Sequence, residues 1–184
     1  MMPVCSQDVV TARTPGVDLT RCVVVAIDVG KREALAGVED FTGTALCRPI
    51  AFAMNRSGVD AMVASVTAAM PADPVVVRVG VEACGHYHQP VTAAGVLPVS
   101  WELVGLNPAW VTAQRRVNGT ARRKTDAIDV AAIADLLRSG KGYALPRPGE
   151  ALVELTAWVA HRRRRVHVRS GLKNQLNGQL DRSF

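Results

Sequence analysis

Residues 21–31 read RCVVVAIDVGK. A run this apolar and this rich in valine predicts a strand buried on both faces, at the centre of a sheet covered by helices on either side. Asp28 lies inside that run. A carboxylate there is costly unless it is paired, protonated or bound to a cation. One stretch therefore sets both the architecture and the first candidate for chemistry.

Outward from it, Ala34–Asp40 and Thr44–Ile50 read as shorter strands joined by a Thr42-Gly43 turn. Ser57 is placed to cap a helix to Met70, with Val59, Met62, Val63 and Val66 at helical spacing and Pro71 and Pro74 ending it. Val75–Val81 is a second valine-rich run and hence a second buried strand. A short helix over Pro90–Ala94 and a strand over Ser100–Leu106 follow. Asn107-Pro108 pairs a capping side chain with a proline suited to the first helical position, starting a helix to about Arg116. Residues 117–124 (VNGTARRK) form a basic loop, and Thr125 caps a helix to about Ser139, ended by Gly140 and Gly142. Beyond Pro146 and Pro148, Glu150–Arg182 reads as one helix on the order of 50 Å long. The chain thus divides into a flexible leader (1–20), an α/β domain (21–145) and a helical, coiled-coil-like arm (146–184). Three strands, helix, strand, helix, strand, then helices is the order of an RNase H-like mixed sheet flanked by helices, an order that other mixed-sheet folds share.

Composition narrows the class. Of 184 residues, 48% are hydrophobic and 21% charged, as in a folded protein. Lys and Arg outnumber Asp and Glu by 22 to 16, which points weakly to a polyanionic partner. No apolar run approaches the roughly 18 residues of a membrane span, and residues 1–20 do not read as a secretory signal. Cys5, Cys22, Cys47 and Cys84 are scattered without metal-finger spacing, as expected of reduced thiols in a cytoplasmic protein.

Three more acids stand out by position. Glu82 ends the second buried strand, and neighbouring strands would carry it to the same rim as Asp28. Asp126 and Asp129 lie three apart at the start of a helix, hence on one face. Carboxylates converging from separate elements suit hard divalent cations, Mg²⁺ or Mn²⁺. Two such ions would activate a nucleophile and stabilise a leaving oxygen in phosphoryl transfer. The plainer readings are a first-turn acid favourable to the helix dipole for Asp126, an exposed helix residue for Asp129 and a turn cap for Glu82.

The series AIDVGK, GVEACGHYHQP, LNPAWV and RRKTDAIDVAAIADLLRSGK resembles the conserved segments of the IS110-type transposases. Across roughly residues 22–142 the resemblance implies a RuvC-like DEDD metal site made of Asp28, Glu82, Asp126 and Asp129, binding Mg²⁺ or Mn²⁺ as two ions and acting on DNA in transposition. It also implies a structured guide RNA as partner. Members of that family carry a further domain with a nucleophilic serine. No segment here matches it, and neither Ser170 nor Ser183 is assigned that role, so the resemblance implies a recombinase fragment without that domain.

Basic residues surround the proposed site. Arg115, Arg116, Arg122, Arg123 and Lys124 flank the loop before Asp126 and would meet a phosphate backbone, or else form a solvated surface. Arg162, Arg163, Arg164 and Arg165 interrupt the long helix as a nucleic-acid contact, although four adjacent arginines cannot all face one partner. Lys31 would meet a phosphate or pair with Glu33. His86 and His88 are poorly spaced for joint metal binding. Leu152, Leu155, Val159, Val166, Leu172, Leu176 and Leu180 recur near heptad spacing, and with Trp158 suggest a homo-oligomeric seam. Within the fold the rival is a junction resolvase or nuclease using the same acids. Another rival is a noncatalytic nucleic-acid-binding module. An actin-like ATPase, which AIDVGK also resembles, requires further phosphate loops that this length does not provide.

Overall fold

The computed structural model describes residues 11, 14–83, 87–93, 95–120, 125–147 and 149–183. Met1–Arg147 and Pro148–Phe184 form two compact units. The first contains β1 (Cys22–Val29), β2 (Glu33–Asp40), β3 (Ile50–Ala53), α1 (Arg56–Ala69), β4 (Val76–Glu82), α2 (Gln89–Thr92), β5 (Glu102–Leu106), α3 (Pro108–Val117), α4 (Asp126–Arg138) and β6 (Tyr143–Ala144). The second is the single helix α5 (Glu150–Ser183).

The sheet runs β3-β2-β1-β4-β5-β6. Strands β1, β2 and β3 pair antiparallel, β4 and β5 continue from β1 in parallel, and β6 closes antiparallel on β5. This is the RNase H-like mixed sheet, with the valine run at its centre. Cys22–Ile27 are fully buried, which only a strand covered on both faces achieves. Alternation divides that burial. Val23, Val25 and Ile27 join Val77, Val79 and Val81 and the apolar face of α1 in one core. Val24 and Ala26 face Val111 of α3 and Val130, Ile133 and Leu137 of α4 in the other.

How α4 lies follows from two glycines. A Cβ on Gly37 would come within 2.4 Å of Val130 Cγ1, and one on Gly80 within 2.5 Å of Leu137 Cδ1. Both glycines are register partners of Ala26, on opposite sides of β1. The helix therefore crosses the strands from β2 to β4, two residues before Asp28.

Several expectations need correction. The third strand is Ile50–Ala53, not Thr44–Ile50. Asp40 Oδ1 accepts from the backbone N–H groups of Thr42 and Thr44 and bends the chain there. Only Ala45 then bridges back to Glu39, and Pro49 has no N–H to offer a ladder. The cap of α1 is Asn55, whose side chain accepts from Gly58 N at 2.9 Å, while Ser57 donates to it. Within the stretch read as a leader, Val17 and Leu19 pack against the α4-side core, and Leu19 O accepts from Phe41 N. The two-residue strand β6 was not anticipated. Among the described residues no helix is long and apolar enough to cross a membrane.

The contact at Gly80 yields a test. Gly80→Ala should destabilise the domain by about 1–3 kcal/mol, because Leu137 must move within a packed core. Urea unfolding measures this, and an unchanged midpoint would show that α4 does not lie this close to β4.

Candidate metal and nucleic-acid site

Ile27 and Val81 are register partners on adjacent parallel strands. Asp28 and Glu82 are the next residues along each strand. Both fall in the alternation set of Val24, Ala26 and Gly80, the face covered by α4. They stand half-buried at equal height on the carboxyl-terminal rim of the sheet. The sequence reading placed them on one rim, and the register brings them there.

Helix α4 contributes the other pair, but unequally. Thr125 caps it, its side chain accepting from Ile128 N. Asp126, in the first turn, is exposed, whereas Asp129 is 4% exposed. The i, i+3 spacing thus turns only Asp129 inward. There its Oδ1 accepts from Arg115 Nη1 of α3 at 2.8 Å. Among the described residues, no three His, Cys, Asp or Glu side chains form a group able to hold a metal ion.

The basic residues divide similarly. Lys31, Arg116, Arg162, Arg163, Arg164 and Arg165 are exposed, while Arg115 is held by Asp129. Arg122, Arg123, Lys124 and His86, like Cys5 and Cys84, lie outside the described residues. Cys22 and Cys47 are free thiols, and burial pushes both upward from the usual thiol range.

Two charged clusters escaped the sequence reading. Arg78, 2% exposed on β4, pairs with Glu102 at 2.8 Å and donates to Leu137 O at 3.1 Å near the carboxyl end of α4. Its guanidinium also lies 5.4 Å from the Phe41 ring. A charged residue inside VVVRVG was as conspicuous as Asp28 and would have been found by the same rule. The second cluster links Glu39 of β2 to Arg138 at 3.2 Å, with Arg138 also bound to Asp135 and Asp135 to Asn118. Both clusters fasten α4 to the sheet and neighbouring loop.

A mixed sheet with acids on its carboxyl-terminal rim, faced by the acid-bearing start of a crossing helix, defines an RNase H-like domain of the nucleic-acid-processing class. The chain belongs to the IS110-type DEDD transposase family, whose model, described as transposase, matches residues 25–184. Thermus thermophilus RuvC in complex with Holliday junction substrate is 17% identical, with a TM-score of 0.42 over 67% of this chain and 99% of that one. A second Thermus thermophilus RuvC structure is 18% identical, with a TM-score of 0.40 and the same coverage. None of the curated proteins matches this chain.

Burial holds the Glu39 carboxyl above its usual range, and Arg138 only partly offsets this, with Asp135 and Asp40 adding to the rise. The folded protein thus binds this proton more tightly than the unfolded chain does. Glu39 contributes stability below the ordinary carboxylate range and loses it as pH rises through its raised value. Stability relative to Glu39→Gln should accordingly fall as pH rises above the ordinary carboxylate range, from about pH 4 upward. Urea midpoints across that window check it, and a difference that stayed flat or grew would contradict it.

Proposed function

We propose that this domain binds DNA and carries out divalent-metal-dependent phosphoryl transfer on it during transposition, with Asp28, Glu82, Asp126 and Asp129 as the metal-binding carboxylates. The observation that carries the reading is the register of β1 and β4. It sets two acids of the family's motif at one height on one face, beneath the helix that bears the other two.

The donor set fits the ion. Four carboxylates offer only hard oxygen ligands, which suits Mg²⁺ or Mn²⁺ and not softer metals. The enclosed Asp129 already needs a cation beside it, a need met by a guanidinium in this chain. When bound, such ions polarise a phosphate and lower the pKa of a water nucleophile. The residues themselves have simpler tasks. Asp28 and Glu82 are fixed by the strands, Asp126 and Asp129 by the capped helix. Lys31 and Arg116 are exposed for phosphate contact, as are the arginines of α5. Arg122, Arg123 and Lys124, outside the described residues, are further phosphate contacts in this reading.

The α5 helix supports self-association, since Leu152, Leu155, Leu172, Leu176 and Leu180 are all about half exposed along it. A structured guide RNA and a cytoplasmic setting follow from the family reading. A second reading, a noncatalytic nucleic-acid-binding module, draws on the Arg115–Asp129 pair, which leaves Asp129 neutralised without metal. A junction-cutting nuclease remains the alternative within the catalytic reading.

The experiment is strand cleavage of branched DNA with Mg²⁺ or EDTA. Asp28→Asn should lower the metal-dependent rate by at least ~100-fold, several kcal/mol of lost electrostatic stabilisation, while leaving circular dichroism unchanged. DNA binding by the wild type that is indifferent to Mg²⁺, with no cleavage in any condition, would favour the noncatalytic module.

A further inference from the structure

Arg115 was expected on the surface, facing phosphate, yet its side chain is 18% exposed and Asp129's only 5%. A carboxylate this enclosed calls for a counter-charge beside it, and a guanidinium, which keeps its proton, supplies a permanent one. The two partners come from different helices, Arg115 from α3 and Asp129 from α4. Arg115 is held on its own side: Nη2 donates to Thr112 Oγ1 at 3.1 Å, and its carbonyl accepts from Thr120 N at 2.9 Å and Thr120 Oγ1 at 3.0 Å. The contact described is one-pronged, Nη1 to Oδ1 at 2.8 Å. A bidentate fork would be stronger and harder to open.

Resting on the metal-site reading above, we propose that Arg115 is an intramolecular placeholder that neutralises Asp129 until a divalent ion takes over the carboxylate. The physical reason is competition. A guanidinium and a divalent cation on one enclosed carboxylate repel each other, and in a poorly screened site that repulsion is large. Arg115 therefore stabilises the metal-free protein and weakens metal binding by the same interaction, and it is a positioning residue rather than a ligand. A displaced Arg115 stands on α3 next to the exposed Arg116.

The test is calorimetric titration of MnCl₂ into the full chain, as wild type, Arg115→Gln and Thr112→Ala, with thermal unfolding in EDTA and in Mn²⁺. Arg115→Gln should melt lower in EDTA yet bind Mn²⁺ about tenfold more tightly, so that Mn²⁺ raises its melting temperature more than it raises the wild type's. A merely structural arginine would lower the melting temperature without tightening Mn²⁺ binding. Thr112→Ala keeps the charge but loosens its hold, so it should tighten binding in the same direction and covers the case in which Arg115→Gln does not fold. Wild-type binding with no tightening in the folded variants overturns the placeholder alone. No Mn²⁺ binding by any of the three overturns the metal-site reading and the placeholder with it.

Discussion

The structure is governed by the cost of charge next to a sheet buried on both faces. Strand β1 has no solvent face, so a charged group buried on the strands beside it or under the helices above it needs an opposite charge or hydrogen bonds to hold it. Arg78 meets this with Glu102 and the Leu137 carbonyl, Glu39 with Arg138, and Asp129 with Arg115. These contacts also fix α4 on the sheet. The glycines at 37 and 80 admit its side chains, and the Arg78 and Arg138 contacts hold its carboxyl-terminal end.

From that placement the site follows. A helix crossing at the level of Ala26 lies on the face to which Asp28 and Glu82 belong, each one residue past Ile27↔Val81, the last pair of the β1–β4 ladder. The uneven burial of Asp126 and Asp129 reflects the same crossing, which turns one acid toward α3 and leaves the other in solvent. The positive charge at Asp129 comes from the protein itself, through Arg115 of α3.

Much of this was legible in the sequence because it rests on local pattern. The valine runs around Asp28 and before Glu82 could hardly be anything but central strands, and Asn107-Pro108 and Thr125 mark helix starts by their own hydrogen-bonding chemistry. The misplaced third strand shows the limit. Thr44–Ile50 has strand-like residues, but the Asp40 side chain captures the Thr44 amide and Pro49 has none to give. Asn55 and Ser57 are both good caps, and which one begins α1 is settled by the backbone conformation at Asn55. The two residues of β6 are too few to show a period. The Arg115–Asp129 pair was illegible for a different reason. Its partners lie fourteen residues apart on separate helices, and only the packing of α3 on α4 makes them neighbours. The motif named the acids, while the distances among them depend on that packing.

The proposed function requires that the rim acids of β1 and β4 serve a divalent ion and are not merely tolerated at the edge of the sheet. Calorimetric titration of Mn²⁺ into the full chain, beside an Asp28→Asn/Glu82→Gln variant shown to be folded by circular dichroism, tests it most directly. Saturable binding by the wild type should vanish in the variant. Binding of equal affinity by the folded variant would contradict it.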